Sequence, residues 1–137
     1  MSKLGLGKAI VINSLINHMY QRKTPEDLEC GITIAMKVFG AKWKPCLLDA
    51  IDRGFRRPSE MHREIQGATP RVLDMQLREL EANGVVEKCR CGGFPLYTEY
   101  TLTDIGRSIM PVIARMNEWG LLHRERVAGQ NLQSISL

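Results

Sequence analysis

"TPRVLDMQLRELEANG", Thr69 to Gly84, carries both punctuation marks of a helix and two unlike faces. Thr69 is an N-cap residue type, and Pro70 takes the first helical position, where its missing N–H costs nothing. Asn83-Gly84 is a stop signal. Leu73, Leu77 and Leu80 recur at spacings of four and three and make one apolar stripe. Roughly opposite lie Arg71, Met75, Arg78 and Ala82. Nothing nearby in the sequence covers that second face.

The segment in front of it supplies a reason. "SEMHREIQG", with Ser59 as N-cap, Met61 and Ile65 on one side and Gly67 as a stop, reads as a short helix. Two helices joined by a tight glycine-containing turn are the sequence form of a helix-turn-helix. "VVEKC" and "LYTEYTL" follow, rich in β-branched and aromatic residues and separated by the turn-rich "RCGGFP". A hairpin directly after the second helix makes the unit a winged one.

Working outward, "ITIAMKVFG" and residues 42–52 each read as a short helix, with Pro45 in the first turn of the latter. Apolar spacing over residues 1–20 fits a further helix. Thr103 caps a long closing helix striped by Ile105, Ile109, Val112, Ile113, Met116 and Trp119, in which Pro111 predicts a bend. The fold class is mainly α with a small β-hairpin, a winged helix-turn-helix. The expected division is an extension over 1–29, a DNA-binding domain over 30–125 that ends in the long helix 103–125, and a flexible tail over 126–137.

A recognition helix presents its first turns to base edges. Arginine pairs bidentately with guanine, glutamine pairs with adenine, and an apolar group meets the thymine methyl. Thr69, Arg71, Val72, Met75, Gln76 and Arg78 supply such a set. Asp74, Glu79 and Glu81 repel phosphate, so the N-terminal end is the one expected in the groove. Lys44, Arg57, Lys88 and Arg90 are candidate phosphate contacts, which set affinity and its salt dependence. The formal net charge is only +4 over 137 residues. It permits a polyanionic partner without demanding one.

Other classes find little support. No Gly-rich phosphate loop follows a strand, and neither "HExxH" nor "GxSxG" occurs, so no enzyme is expected. "CRC" at Cys89–Cys91 has a spacing that metal sites use. A closed zinc site needs two further ligands, and His18, His62 and His123 make no ligand pattern. Neither a metal nor a cofactor is expected. Four cysteines lack the density of a secreted scaffold, and no apolar run reaches membrane-span length. A cytoplasmic protein without a membrane partner is the reading. Cys46, amid "PCLLDAI", reads as a buried small hydrophobe. Cys30 precedes a helix, where its pKa falls, and is the candidate redox sensor.

"GAKWKPCLLDAI", "QLRELEANGVVEK", "TEYTLTDIGRS" and "MNEWG" together resemble the HxlR family of bacterial transcription regulators. The likeness runs from Cys30 to about Gly120. It implies a dimeric winged-helix protein with 69–83 as the recognition helix, 86–102 as the wing and 103–125 as a dimerisation helix. It also implies that Cys30 matches a cysteine that some members use to sense oxidants or electrophiles. The chain departs from the family pattern at Gly31, where a proline often follows that cysteine, and at Pro58, where an aromatic residue is usual.

The resulting expectation is a homodimer that binds double-stranded DNA at a pseudo-palindromic operator, with room for an oxidant or small-molecule effector. Ile105, Ile109, Ile113, Met116 and Trp119 form the expected dimer interface, to which residues 1–29 add. The alternative left open is a winged-helix protein–protein interaction module that does not bind DNA.

Overall fold

The computed structural model describes residues 28–133, with side chains described as far as Gly129. The helix read near the N-terminus, and its share in a dimer interface, lie outside those residues. The chain divides into two compact units after Ile34. Of the first, only a turn, Cys30 and the start of helix α1 (Gly31–Phe39) are described.

The second unit continues with α2 (Lys44–Asp52), α3 (Pro58–Glu64), α4 (Pro70–Ala82), β1 (Val86–Cys91), β2 (Tyr97–Leu102), α5 (Asp104–Leu122) and α6 (Arg124–Gln133). The leucine stripe behaves as its spacing predicts. Leu73, Leu77 and Leu80 of α4 are fully buried, against Leu47, Leu48 and Ile51 of α2 and Met61 of α3. Each such side chain contributes about 1.5–3 kcal/mol of transfer free energy. Val85, Val86, Tyr100 and Leu102 bring the root of the hairpin into the same core.

β1 and β2 pair antiparallel, with Val86 opposite Leu102, Lys88 opposite Tyr100, Arg90 opposite Thr98 and Cys91 opposite Tyr97. Residues directly opposite share a sheet face. Lys88 and Arg90 therefore lie on the face that carries buried Val86 and Tyr100 at its base. Cys89, Cys91, Tyr97 and Glu99 lie on the other. The Tyr100 N–H also donates to the Arg56 carbonyl at 2.8 Å, which ties the hairpin to the entry of α3.

Local capping differs from the sequence reading in one place. α3 starts at Pro58 and not after Ser59, with Arg57 as the capping residue. The Glu60 carboxylate accepts the N–H groups of both Arg56 and Arg57, each at 3.1 Å, which is the part the third helical residue plays in a capping box. The Thr69 hydroxyl accepts from Val72 N–H, as its position predicts.

Thr103 does two jobs. Its hydroxyl accepts Gly106 N–H at 3.1 Å and donates to the Gly84 carbonyl at 2.7 Å. α5 thus begins pinned to the end of α4. Gly106 lies against this joint so closely that a Cβ there would stand 2.0 Å from the Val85 carbonyl oxygen, which only glycine avoids.

The closing stripe is corrected by the fold. Ile113 is buried and Ile109 half-buried, and both pack on the protomer's own core. Ile105, Met116 and Trp119 are exposed. The reason is geometric: α5 touches the core through its first half only, and residues 114–122 are exposed throughout. The flexible tail expected from residue 126 is helical in α6 as far as Gln133.

Candidate nucleic-acid interface

α3, the turn Ile65–Thr69 and α4 form the helix-turn-helix. Two contacts fix its angle. His62 Nε2 lies 2.8 Å from Asp74 Oδ1, across the two helices. Gly67 in the turn lies against the Trp43 ring, so close that a Cβ would come within 2.5 Å of it. The Trp43 N–H in turn donates to Gln76 Oε1 at 3.2 Å.

That last bond overturns the groove-facing role expected of Gln76. Only 7% of the residue is exposed, and its carbonyl oxygen is taken by the backbone. Gln76 lies on the flank of the leucine stripe, one residue before Leu77, and braces the helix from inside. Lys44 is corrected in the same way. It is 6% exposed, and its ammonium lies 2.6 Å from Glu79 Oε2, so it is not available to a phosphate. The Lys42–Lys44 run is largely a clamp: Lys42 sits over the Trp43 ring at 4.8 Å, Trp43 holds Gln76, and Lys44 holds Glu79.

What remains outward on α4 is Thr69 at the cap, then Arg71, Met75 and Arg78, all exposed, with Val72 half-buried beside them. Arg71 makes no ion pair among the described residues. Arg78 Nε donates to the Asp74 carbonyl at 3.4 Å. Two of the three acids on the helix are paired, Asp74 with His62 and Glu79 with Lys44. Lys44 offsets the Glu79 charge that was expected to repel phosphate, and His62 occupies one oxygen of Asp74. His62 was the residue the sequence reading missed. It lies twelve residues from Asp74, too far for a local spacing signal.

On the wing, Lys88 and Arg90 are exposed. Arg57 is exposed as well, but its guanidinium is stacked 3.8 Å from the Tyr97 ring centre and lies 3.9 Å from Glu99. It braces the outer face of the hairpin.

The cysteines occupy three different environments. Hydrogen bonds from the Thr33 hydroxyl, then from the backbone N–H groups of Thr33 and Ile32, hold the Cys30 thiol below the ordinary cysteine value. Cys46 is exposed at the residue level, against the expectation of burial, because it falls on the outer side of α2. Desolvation of its sulfur, and then the Asp49 charge, raise its thiol. It lines an open groove between α2 and α5 together with Trp43, Arg53, Met110 and Met116. Cys91 is pushed up to about 11, first by its hydrogen bond with Cys89.

Among the described residues, no group of three or more His, Cys, Asp or Glu side chains could hold a metal ion. No described helix is long and apolar enough to cross a membrane.

The HxlR-like helix-turn-helix family model matches residues 38–128. The HTH-type transcriptional regulator YybR of Bacillus subtilis is 37% identical over 101 residues, covering 74% of this chain and 81% of that protein. Among solved structures, the redox regulator HypR in its reduced form is 35% identical. It superposes with a TM-score of 0.67, over 73% of this chain and 99% of that one. The reduced form of the transcriptional regulator YodB from B. subtilis is 27% identical with a TM-score of 0.59, over 66% and 90%. With the exposed α4 face, the wing and the match over most of its length, the chain belongs to the HxlR-like helix-turn-helix family and is a DNA-binding transcriptional regulator.

Proposed function

We propose that this regulator works in the bacterial cytoplasm as a homodimer on a pseudo-palindromic operator. α4 of each protomer enters a major groove, and Lys88 and Arg90 of each wing contact the adjacent backbone. The observation that carries this reading is the state of α4. Its outward residues Arg71, Met75 and Arg78 are exposed, while Asp74 and Glu79 are occupied by partners. Groove entry by such a helix is the usual geometry of the motif, and a two-fold protein matches a two-fold site. The exposed second half of α5, with Met116 and Trp119, supports pairing through that helix.

Cys30 is the oxidant sensor in this reading. A lowered pKa raises its thiolate fraction, and thiolate is the form that attacks an oxidant. The likeness to HypR, a redox regulator, supports it.

The test is a gel shift with reduced full-length protein on the gene's own upstream DNA, repeated across a salt series and with mild diamide. Binding that weakens linearly on a log–log salt plot is expected. Diamide should change the affinity of the parent and leave Cys30→Ser unaffected. Salt-independent or absent binding would overturn the operator reading in favour of a protein-binding module. Equal diamide response in both proteins would remove Cys30 as the sensor.

A further inference from the structure

The wing carries a second thiol arrangement that the DNA-binding reading does not use. Cys89 and Cys91 lie two residues apart on β1, so both side chains leave the same sheet face. Cys89 is the first cause that raises the Cys91 thiol, which puts the two groups within interaction range. Opposite them in register stand Glu99 and Tyr97, and Arg57 covers that side of the hairpin through both. Cys89 is exposed and Cys91 half-buried, so the pair opens to solvent.

We propose that Cys89 and Cys91 form a two-thiolate site for a soft monovalent cation of the Cu(I) type, and that its occupation weakens the hold of the wing on DNA. The second half of this rests on the reading of Lys88 and Arg90 as phosphate contacts.

Three physical arguments select this ligand. First, a direct disulfide fits poorly. Two residues of extended strand span about 6.6–6.8 Å, at the upper limit of the Cα separation that a disulfide tolerates. A bridging ion relaxes that demand, since two metal–thiolate bonds of about 2.3 Å each reach sulfurs that need not touch. Second, the ligand count is two. No third His, Cys, Asp or Glu joins a metal-holding group among the described residues. A tetrahedral zinc site is therefore unfinished here, whereas thiolate donors are those that favour Cu(I). Third, both thiols leave one sheet face towards solvent, Cys89 exposed and Cys91 half-buried, so an ion that displaces their protons has an entry path.

The step balances as two thiols plus Cu(I) giving one bis-thiolate complex and two released protons, with no change of oxidation state. Two neutral side chains become a unit of net charge −1. Arg90 lies between them in sequence and Lys88 beside Cys89, within a Debye length of about 8–10 Å. The new anion offsets one of the two wing cations and lowers the pull on phosphate.

The experiment titrates reduced full-length protein with Cu(I) under anaerobic conditions, in competition with bathocuproine disulfonate. One Cu(I) per chain is expected to be withdrawn from the chelator. Cys89→Ser and Cys91→Ser should each weaken this at least tenfold, while Cys30→Ser and Cys46→Ser should retain it. Zn(II) should bind the parent far more weakly than Cu(I). Equal Cu(I) uptake by the parent and Cys89→Ser, or zinc binding as tight as copper binding, would overturn the site.

A gel shift on the upstream DNA then reads the coupling. Cu(I) should reduce the affinity of the parent several-fold and lower its salt slope by about one, with Cys91→Ser unchanged. Copper bound with DNA affinity unmoved would overturn the coupling. Failure of the metal-free parent to bind DNA would instead count against the operator reading, so the two failures are distinct.

Discussion

Lys44 and Glu79 meet at 2.6 Å, with the lysine almost wholly buried and the carboxylate half-exposed. The pair joins the first turn of α2 to the outer half of α4, and its two ends are not equivalent. Removing Glu79 strands a buried ammonium. Removing Lys44 leaves a carboxylate that water can reach. We expect Glu79→Ala to destabilise the fold by about 2–3 kcal/mol and Lys44→Met by less than about 1 kcal/mol. Denaturant unfolding followed by circular dichroism reads both, and the reverse order would contradict this account of the pair.

Arg71 and Gln76 should part company in DNA binding. Arg71→Ala is expected to cost about 1–3 kcal/mol in operator affinity and to relax preference at one base pair. Gln76→Ala should lower the melting temperature, because Trp43 N–H loses its acceptor, and leave sequence preference intact. A binding-site selection with each variant separates the two roles. A changed base preference in Gln76→Ala would show that the side chain turns outward on DNA.

The long helix offers a similar contrast. Ile113 is buried and Met116 and Trp119 are exposed, although all three belong to one stripe. Ile113→Ala should destabilise the protomer by about 2–4 kcal/mol. Trp119→Asp should leave the protomer folded, shift sedimentation to monomer and weaken operator binding more than tenfold. A Trp119→Asp protein that sediments as the parent does would remove this face from the dimer interface.

Thiol alkylation should resolve the cysteines by pH. Cys30, whose thiol is lowered, gains thiolate at a lower pH than a free cysteine does. Cys91, raised to about 11, loses it, with roughly one thiolate per thousand at pH 8. Iodoacetamide at pH 7–8 with peptide mapping should therefore label Cys30 first and Cys91 last. Rapid labelling of Cys91 would contradict its hydrogen bond with Cys89.

Gly106→Ala is expected to be poorly tolerated, since the added carbon would meet the Val85 carbonyl and not a flexible side chain. A loss of about 1–3 kcal/mol is the expected scale for forced overpacking. Thermal unfolding against Gly120→Ala, a helical glycine with open space around it, provides the control.

Local signals carried much of the architecture. Leu73, Leu77 and Leu80 announced their face by spacing, and Thr69 and Thr103 announced their helices by capping chemistry, because in each case the partners lie within a few residues. The errors fell where burial depends on distant chain. Gln76 and Lys44 look like surface residues, and each is turned inward by a partner more than thirty residues away. Ile113 and Met116 carry the same periodic signal, and only the place where α5 leaves the core distinguishes them. The pairing of His62 with Asp74 had no signal in the sequence at all.

The single oxygen of Thr103, shared between the Gly84 carbonyl and the Gly106 amide, has a mechanical consequence. The reading helix and the long helix meet at a welded corner, with no slack residue to absorb a change of angle. In the proposed two-fold assembly, a few degrees of rotation between the paired long helices would be transmitted whole to the far ends of the reading helices, as by a stiff caliper. The tolerated separation between half-sites would then be narrow. Operators lengthened by one base pair should lose binding, and Thr103→Val, which loosens the corner, should recover part of it.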